Sequence, residues 1–433
     1  MLKSMSVGNF RSIKTQVTID LVKSPRIKGE LANYVKRSHY DLANTSVIYG
    51  ANASGKSNVL RSISMLKAMV LNSARFEPND QIGLYDPFRL SPAGATRPVH
   101  VELDFFLDEI RYIYTLGFNS KRVEYEQLYY YPEGVKARLF ERKGDKKMAF
   151  GTYFKGEKKV IEKLTLPNQL FLSKAAENNA ESVLPVYDFF KNRLHVYTAL
   201  NEYNEAGLER LYARRLASAP DSAFAKKLNA LICALDTGIR SVSAREADLN
   251  MVKFPDNMPE HVKARIQEEF KYEIRTLHGV YDDSRNHTGN VDFEIDDESN
   301  GTRSLLSLAG IIIDALEKGS ILVIDEFEKN LHPLITTYLT KLFQQPEFNP
   351  RNAQLIVSTH DVTQLREDLY NRDQIWFTQK SEYGETELIS CAEIKGLRAD
   401  APLDKWYLSG RLGGTAIIND QSLVSAFLED HVE

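Results

Sequence analysis

The sequence predicts an α/β fold, with a parallel sheet core, an antiparallel β subdomain and a helical insertion. Three observations predict it. Gly50-Ala51-Asn52-Ala53-Ser54-Gly55-Lys56-Ser57 lies between the strand-like Ser46-Val47-Ile48-Tyr49 and a run from Asn58 to Met69 with helical spacing. Ile321-Leu322-Val323-Ile324 is an unbroken apolar run ending in Asp325-Glu326, the pattern of a parallel strand covered on both faces. Strands near Ile321, Leu355 and Ile375 alternate with helices near Leu305, Leu334 and Val362.

Residues 50–57 read as a phosphate-binding loop: Gly, four residues, then Gly-Lys-Ser, in the strand-then-helix setting that this motif needs. Triphosphate is a dense anion. Gly50 and Gly55 let the backbone wrap closely and aim its N–H groups inward. The helix that starts near Gly55 adds its positive end. Lys56 is placed to reach the β- and γ-phosphates and Ser57 to ligate Mg²⁺. Asn52 is placed to meet the γ-phosphate, and Asn58 closes the binding set. At the end of the 321–324 run, Asp325 is expected to hold Mg²⁺ through water, and Glu326 to orient or deprotonate the attacking water.

Ser299-Asn300-Gly301-Thr302 precedes the helical run Leu305, Leu306, Leu308, Ala309, Ile312, Ile313. Such a turn is an N-cap and can also seat an anion. Leu355-Ile356-Val357-Ser358-Thr359-His360-Asp361 is a strand ending in a histidine. A lone histidine is usually structural, but this one ends the strand that follows the carboxylate strand.

Four segments are expected: 1–150, a first lobe with the phosphate loop and the antiparallel subdomain; 151–275, a mainly helical insertion; 276–395, a second lobe; and 396–433, a tail. Val99 to Phe106 and Tyr112 to Phe118 alternate as strands do. Tyr125 to Tyr131 and Arg138 to Arg142 extend that sheet, their tyrosines read as packing rather than as a base-stacking platform. From about Leu164 to Glu273 the pattern is helical, with breaks at Pro185, Pro220, Pro255 and Pro259. It is too interrupted for a long heptad arm and reads as a compact lobe.

The net charge is −4, with 43% hydrophobic and 26% charged residues, values of a globular chain. No run of eighteen apolar residues suggests a membrane span, and the N-terminus lacks the apolar core of a signal peptide. Cys233 and Cys391 are isolated, so neither a metal site nor a disulfide framework is indicated. A cytoplasmic location is expected. The basic runs Lys36-Arg37, Arg214-Arg215, and Arg142-Lys143 with Lys146-Lys147 read as solvated surface. A groove assembled from distant segments would be invisible at this level.

Together these residues resemble the ABC-type ATPases, in particular the SMC/RecF-like branch. Val7-Gly8-Asn9-Phe10-Arg11-Ser12-Ile13 resembles that branch's first strand and turn. Residues 50–57 match its Walker A motif, 321–326 its Walker B, 299–302 a shortened signature, 330–333 its D-loop region and 359–361 its H-loop. The stretch 298–302, then Asp325-Glu326 with Leu331-His332-Pro333, then 372–376, is similar to the RloA/AbiLii-type ATP-binding proteins of anti-phage defence. Phe171-Leu172-Ser173-Lys174, Asp236-Thr237-Gly238-Ile239 and the tail Tyr407–Gly414 resemble that group too. Three departures stand out. The signature is Ser-Asn-Gly-Thr, not Leu-Ser-Gly-Gly-Gln. Glu328-Lys329-Asn330 stands where relatives carry Asp-Arg-Ser. No clear Q-loop glutamine is present, with Gln81 the nearest candidate.

The resemblance implies an ABC-type ATPase head that uses ATP and Mg²⁺, with Glu326 and His360 catalytic. It implies a homodimer or larger homo-oligomer in which Ser299 and Gly301 of one copy face the nucleotide held by Lys56 of another. It further implies a regulator of a separate effector, a Toprim-type nuclease, triggered by nucleic acid or a phage protein. ATPases of the overcoming-lysogenisation (OLD) class, which this chain also resembles, carry such a nuclease on the same polypeptide. Here Asp400, Asp404, Asp420, Glu429 and Asp430 are scattered and read as surface charge. A RecF-like repair ATPase binding duplex DNA is the alternative, and a stand-alone hydrolase a third reading that the absence of an Asn-Lys-x-Asp motif disfavours.

Overall fold

The computed structural model describes all residues except 28–32, 145, 199–204, 236–237, 249–253, 256, 399–400 and 416–433. Asp236, Thr237, Asp400, Asp420, Glu429 and Asp430, singled out above, lie outside the described residues.

The apolar runs form the central sheet. Its six strands lie in the order Leu194–Tyr197, Ile321–Ile324, Gln354–Ser358, Thr45–Gly50, Ile375–Lys380, Thr386–Ser390. All neighbours are parallel except the last pair. Successive side chains of a strand point to opposite faces, and both faces here are buried. Ile321, Val323 and Ile356 join one core, with the helix Lys56–Asn72 and the antiparallel sheet. Leu322, Ile324, Leu355 and Val357 join the other, with the helices Asn300–Lys318 and Pro333–Gln344. This two-sided burial is why these strands read as continuous apolar runs.

The antiparallel subdomain has seven strands, in the order Ala149–Phe150, Ala137–Lys143, Val123–Tyr131, Ile110–Phe118, Val99–Leu107, Leu2–Gly8, Val17–Asp20. The four strands expected in this region are all present. Their tyrosines pack: Tyr112 stacks on Phe105 at 5.8 Å and on Tyr130 at 5.9 Å. Mixed α/β architecture, a parallel core and an antiparallel subdomain are thus as predicted.

The segment 151–275 differs from the expected compact helical lobe. It is rich in helices, but their apolar stripes bury against different layers. Phe171, Leu172 and Ala175 enter the first core, where the Phe171 and Leu172 N–H groups donate to buried Glu126 at 2.6 and 2.9 Å. Tyr212, Leu216, Leu228 and Ile232 enter the second. The segment also supplies the edge strand Leu194–Tyr197 of the central sheet and the first strand of a three-stranded sheet, Ile239–Glu246, Tyr272–Tyr281, His287–Glu294. Four residues are too few to announce a strand by periodicity. Arg142 also departs from the expected solvated surface. It is buried and donates to the carbonyls of Gln169, Pro167 and Leu166 at 2.6, 3.1 and 3.2 Å.

Candidate nucleotide site

The phosphate loop connects the strand Thr45–Gly50 to the helix Lys56–Asn72. Close approach explains its glycines. A Cβ at position 50 would lie 2.2 Å from Thr378 Oγ1, and one at position 55 would lie 2.1 Å from Thr386 Oγ1. Gly55 also has φ 113°, a conformation that favours glycine. The same threonines clamp the loop. Thr378 Oγ1 is 2.7 Å from Ser54 Oγ and donates to the Tyr49 carbonyl at 3.2 Å. Thr386 Oγ1 donates to the Ser54 carbonyl at 2.8 Å.

No side chain caps the helix that follows, so its first N–H groups are left for a ligand. Lys56 is buried and its Nζ donates to the carbonyls of Gly50 at 2.7 Å and Ala51 at 3.2 Å. Burial lowers the Lys56 ammonium to about 8, against the opposing pull of Asp325, Glu328 and Glu326. An arriving anion favours the charged form. Asn52 is exposed at the loop tip. Asn58 is engaged elsewhere: it donates to Ser12 Oγ at 2.7 Å and accepts from Arg11 Nη1 at 3.2 Å, tying the N-terminal turn to the loop helix.

The carboxylates stand at the end of Ile321–Ile324, as read from the sequence. Ser358 on the neighbouring strand donates its hydroxyl to Asp325 Oδ1. Ser358 Oγ in turn accepts from the Glu326 N–H at 3.0 Å. Glu326 has φ 54°, an uncommon conformation for a residue with a side chain, and one often found at functional positions. Ser57, Asp325 and Glu326 line one cavity of about 470 Å³. A hydroxyl, two carboxylates and an uncapped helix start fit a magnesium triphosphate.

His360 is exposed at the end of Gln354–Ser358. Partial desolvation of the ring, then the charge of Lys56, holds its imidazole below the ordinary value; Glu328, Glu326 and Asp325 pull the other way. The turn at Ser299 behaves differently. Its hydroxyl caps its own helix, accepting from the Thr302 N–H at 3.1 Å. A Cβ on Gly301 would lie 2.9 Å from the Asn330 carbonyl, and Asn330 Nδ2 donates to Ser304 Oγ at 3.3 Å. Among the described residues, no hydrogen bond joins Ser299 or Gly301 to the phosphate loop.

Some contributors were not assigned to the site from the sequence. Glu328 accepts the His360 N–H through Oε1 at 2.6 Å, while its Oε2 is buried without a partner among the described residues. Thr198 lines the same cavity as Ser57 from the end of the edge strand, and its buried hydroxyl has no hydrogen-bond partner among the described residues. Gln81, by contrast, sits on an exposed loop. Finally, the tail turn packs on the root of the loop: a Cβ on Gly414 would lie 2.9 Å from the Thr378 carbonyl and 3.5 Å from Gly50 Cα. Tyr407 donates to the Gly414 carbonyl at 3.2 Å, and its ring lies 5.8 Å from that of Tyr49. A carboxylate two residues beyond Asp325-Glu326 was the one available signal for Glu328; the others depend on long-range contacts.

A strand–loop–helix phosphate seat facing paired carboxylates, on a parallel sheet, defines a P-loop ATPase. The chain belongs to the family described as "AAA domain, putative AbiEii toxin, Type IV TA system", whose model matches residues 46–366. No curated protein matches the chain. Among solved structures, it is similar to an SMC head bound to the C-winged helix domain of ScpA, at 12% identity over 90% of this chain and 97% of that one, with a TM-score of 0.44. It is similar to the SMC head domain from Thermotoga maritima, at 15% identity over 90% and 98%, with a TM-score of 0.38. The Smc head domain with an extended coiled coil, bound to the C-terminal domain of ScpA and derived from Pyrococcus furiosus, gives 14% identity over 90% and 96%, with a TM-score of 0.39. No helix among the described residues is long and apolar enough to cross a membrane.

Proposed function

We propose that this chain is a cytoplasmic ATP hydrolase that closes as a homodimer, or an oligomer of such pairs, around magnesium-ATP. Closure controls a separate effector, a Toprim-type nuclease, in bacterial anti-phage defence. One observation carries the ATP-dependent closure: Ser57, Asp325 and Glu326 share a cavity that the signature helix reaches with Ser304 and Leu308, while Ser299 at the start of that helix is exposed and is not among the lining residues. A second copy would bring its own Ser299 and Gly301 to the phosphates that Lys56 holds.

Each residue then has a task. Lys56 and the loop N–H groups bind the β- and γ-phosphates, and Asn52 reaches the γ-phosphate. Ser57 and Asp325 hold the metal, which supplies positive charge against the phosphate oxygens. Glu326 takes the proton of the attacking water. His360 faces the γ-phosphate. Asn58 serves by fixing the Arg11-Ser12 turn against the loop helix.

Closure can be relayed to a partner through polar ties on the signature helix. Arg303 grips Glu209 at 3.0 and 3.1 Å, Ser304 donates to Glu205 at 2.8 Å, and Arg215 pairs with Asp314 at 2.8 Å. Glu205, Glu209 and Arg215 all lie on the helix Glu205–Ser218 of the insertion. The family description, which names an AbiEii toxin, supports the defence setting, and the resemblance of the tail Tyr407–Gly414 supports kinship with the RloA/AbiLii-type proteins.

The test is a pulldown from the native host with Glu326→Gln as bait. A nuclease is expected with ATP and not with ADP. Recovery of no other protein in either state would remove the effector from the proposal.

A further inference from the structure

At the opposite end of the parallel sheet, four cations from four distant segments meet. Arg37 ends the strand Tyr34–Arg37, and Arg193 directly precedes Leu194–Tyr197. Lys318 ends the helix Asn300–Lys318, and Arg351 lies just ahead of Gln354–Ser358. All four line one cavity of about 90 Å³, with Asp108 the one acid on its wall. The space admits a small oxyanion and is too small for a nucleoside.

Among the described residues, the positive charge there is poorly compensated. Arg37 lies 3.6 Å from Glu109, and Arg193 lies 3.6 Å from Asp108. Both acids are largely exposed, at 71% and 87%, and such loose surface pairs offset little charge. Among the described residues, Lys318 and Arg351 have no ion pair. The field also reaches His195, whose imidazole is lowered to about 4 by burial, then by the charges of Lys67 and Lys318.

The cluster is also pre-assembled. Gly319 has φ 64°, and a Cβ there would lie 2.6 Å from the Arg351 carbonyl. The turn carrying Lys318 is therefore pressed against the loop carrying Arg351, and only glycine permits that contact.

We propose that this cluster is a second anion site, built for one phosphate group and distinct from the nucleotide site. Three guanidinium groups present planar donor forks that suit phosphate oxygens, and Lys318 adds a point charge. The phosphate can come from a free oxyanion or from a nucleic-acid backbone. Either source meets the same donors. The strand Ile321–Ile324 runs directly from Lys318-Gly319 to Asp325-Glu326, so an occupant would bear on the strand that positions the carboxylates.

The test compares two full-length proteins. One carries Lys56→Ala, which silences the phosphate loop as a competing anion site. The other carries Lys56→Ala with Lys318→Glu and Arg351→Glu. Inorganic phosphate is followed by thermal shift, and a labelled 20-base-pair duplex by fluorescence anisotropy across a salt series. The first protein is expected to bind at least one probe, and the charge reversal to weaken that binding by ~10-fold or more. For the duplex, the slope of log affinity against log salt should fall by roughly two. Loss with the duplex alone identifies a nucleic-acid backbone as the source, and loss with phosphate alone a free oxyanion. Equal binding of both probes by the two proteins overturns the proposal. Arg193→Gln, at an exposed position, repeats the comparison should the double reversal fail to fold, and unchanged binding there overturns it equally.

Discussion

Two long helices start beside the ATPase motifs, and they start in different ways. Lys56–Asn72 has no capping side chain, and its loop is held in place by Thr378, Thr386 and Gly414 from remote parts of the chain. Asn300–Lys318 is capped by its own Ser299, and its start at Ser299 and Asn300 is exposed although the body of the helix is buried. The first start is built to receive an anion and is incomplete without one. The second is self-sufficient within its own chain. The proposed ATP-dependent closure between copies would use that asymmetry, with the phosphate loop as the prepared half-site and the Ser299 turn as the half-site offered to a second copy.

The contrast can be broken or sharpened by mutation, and the largest effect belongs to the prepared half. Glu326→Gln should slow hydrolysis by ~100- to 10,000-fold while ATP still binds, as steady-state turnover and a binding titration would show together. Lys56→Ala should weaken nucleotide binding by ~100-fold or more, since it removes a charged partner from a dense anion. On the outward half, Ser299→Arg should leave nucleotide binding by one copy intact and abolish turnover. Mixing it with Lys56→Ala should restore about half-sites' worth of activity; no recovery in any mixture would argue against action in trans. Glu328→Ala should reduce turnover by ~10-fold with ATP affinity nearly unchanged, because it frees the His360 turn rather than a phosphate contact. Thr378→Val should cost about 1 kcal/mol of stability, the loss of ordinary hydroxyl hydrogen bonds, readable as a lower midpoint in denaturant.

The same contrast explains what the sequence made legible. Residues 50–57 and 321–326 are contiguous, and their chemistry is set by local backbone geometry, so spacing alone located them. The antiparallel strands were legible for a similar reason: residues such as Val99, Val101 and Leu103 alternate with polar neighbours and bury one face. Thr378 and Thr386 were not legible. They are ordinary strand threonines until the sheet brings them to Ser54. Thr198 was hidden because its strand, Leu194–Tyr197, is only four residues long and sits in an otherwise helical region. Arg37, Arg193, Lys318 and Arg351 are single charges in sequence and a cluster only in space. Asn58 shows the converse: a motif position whose side chain is committed to Ser12 and Arg11.

The most direct measurement is the solution mass of Glu326→Gln with ATP, with ADP and without nucleotide. Doubling of the mass, or a multiple of it, with ATP alone, and its loss on adding Ser299→Arg to the same chain, is the predicted result. An unchanged single-copy mass with ATP demonstrably bound would contradict the account.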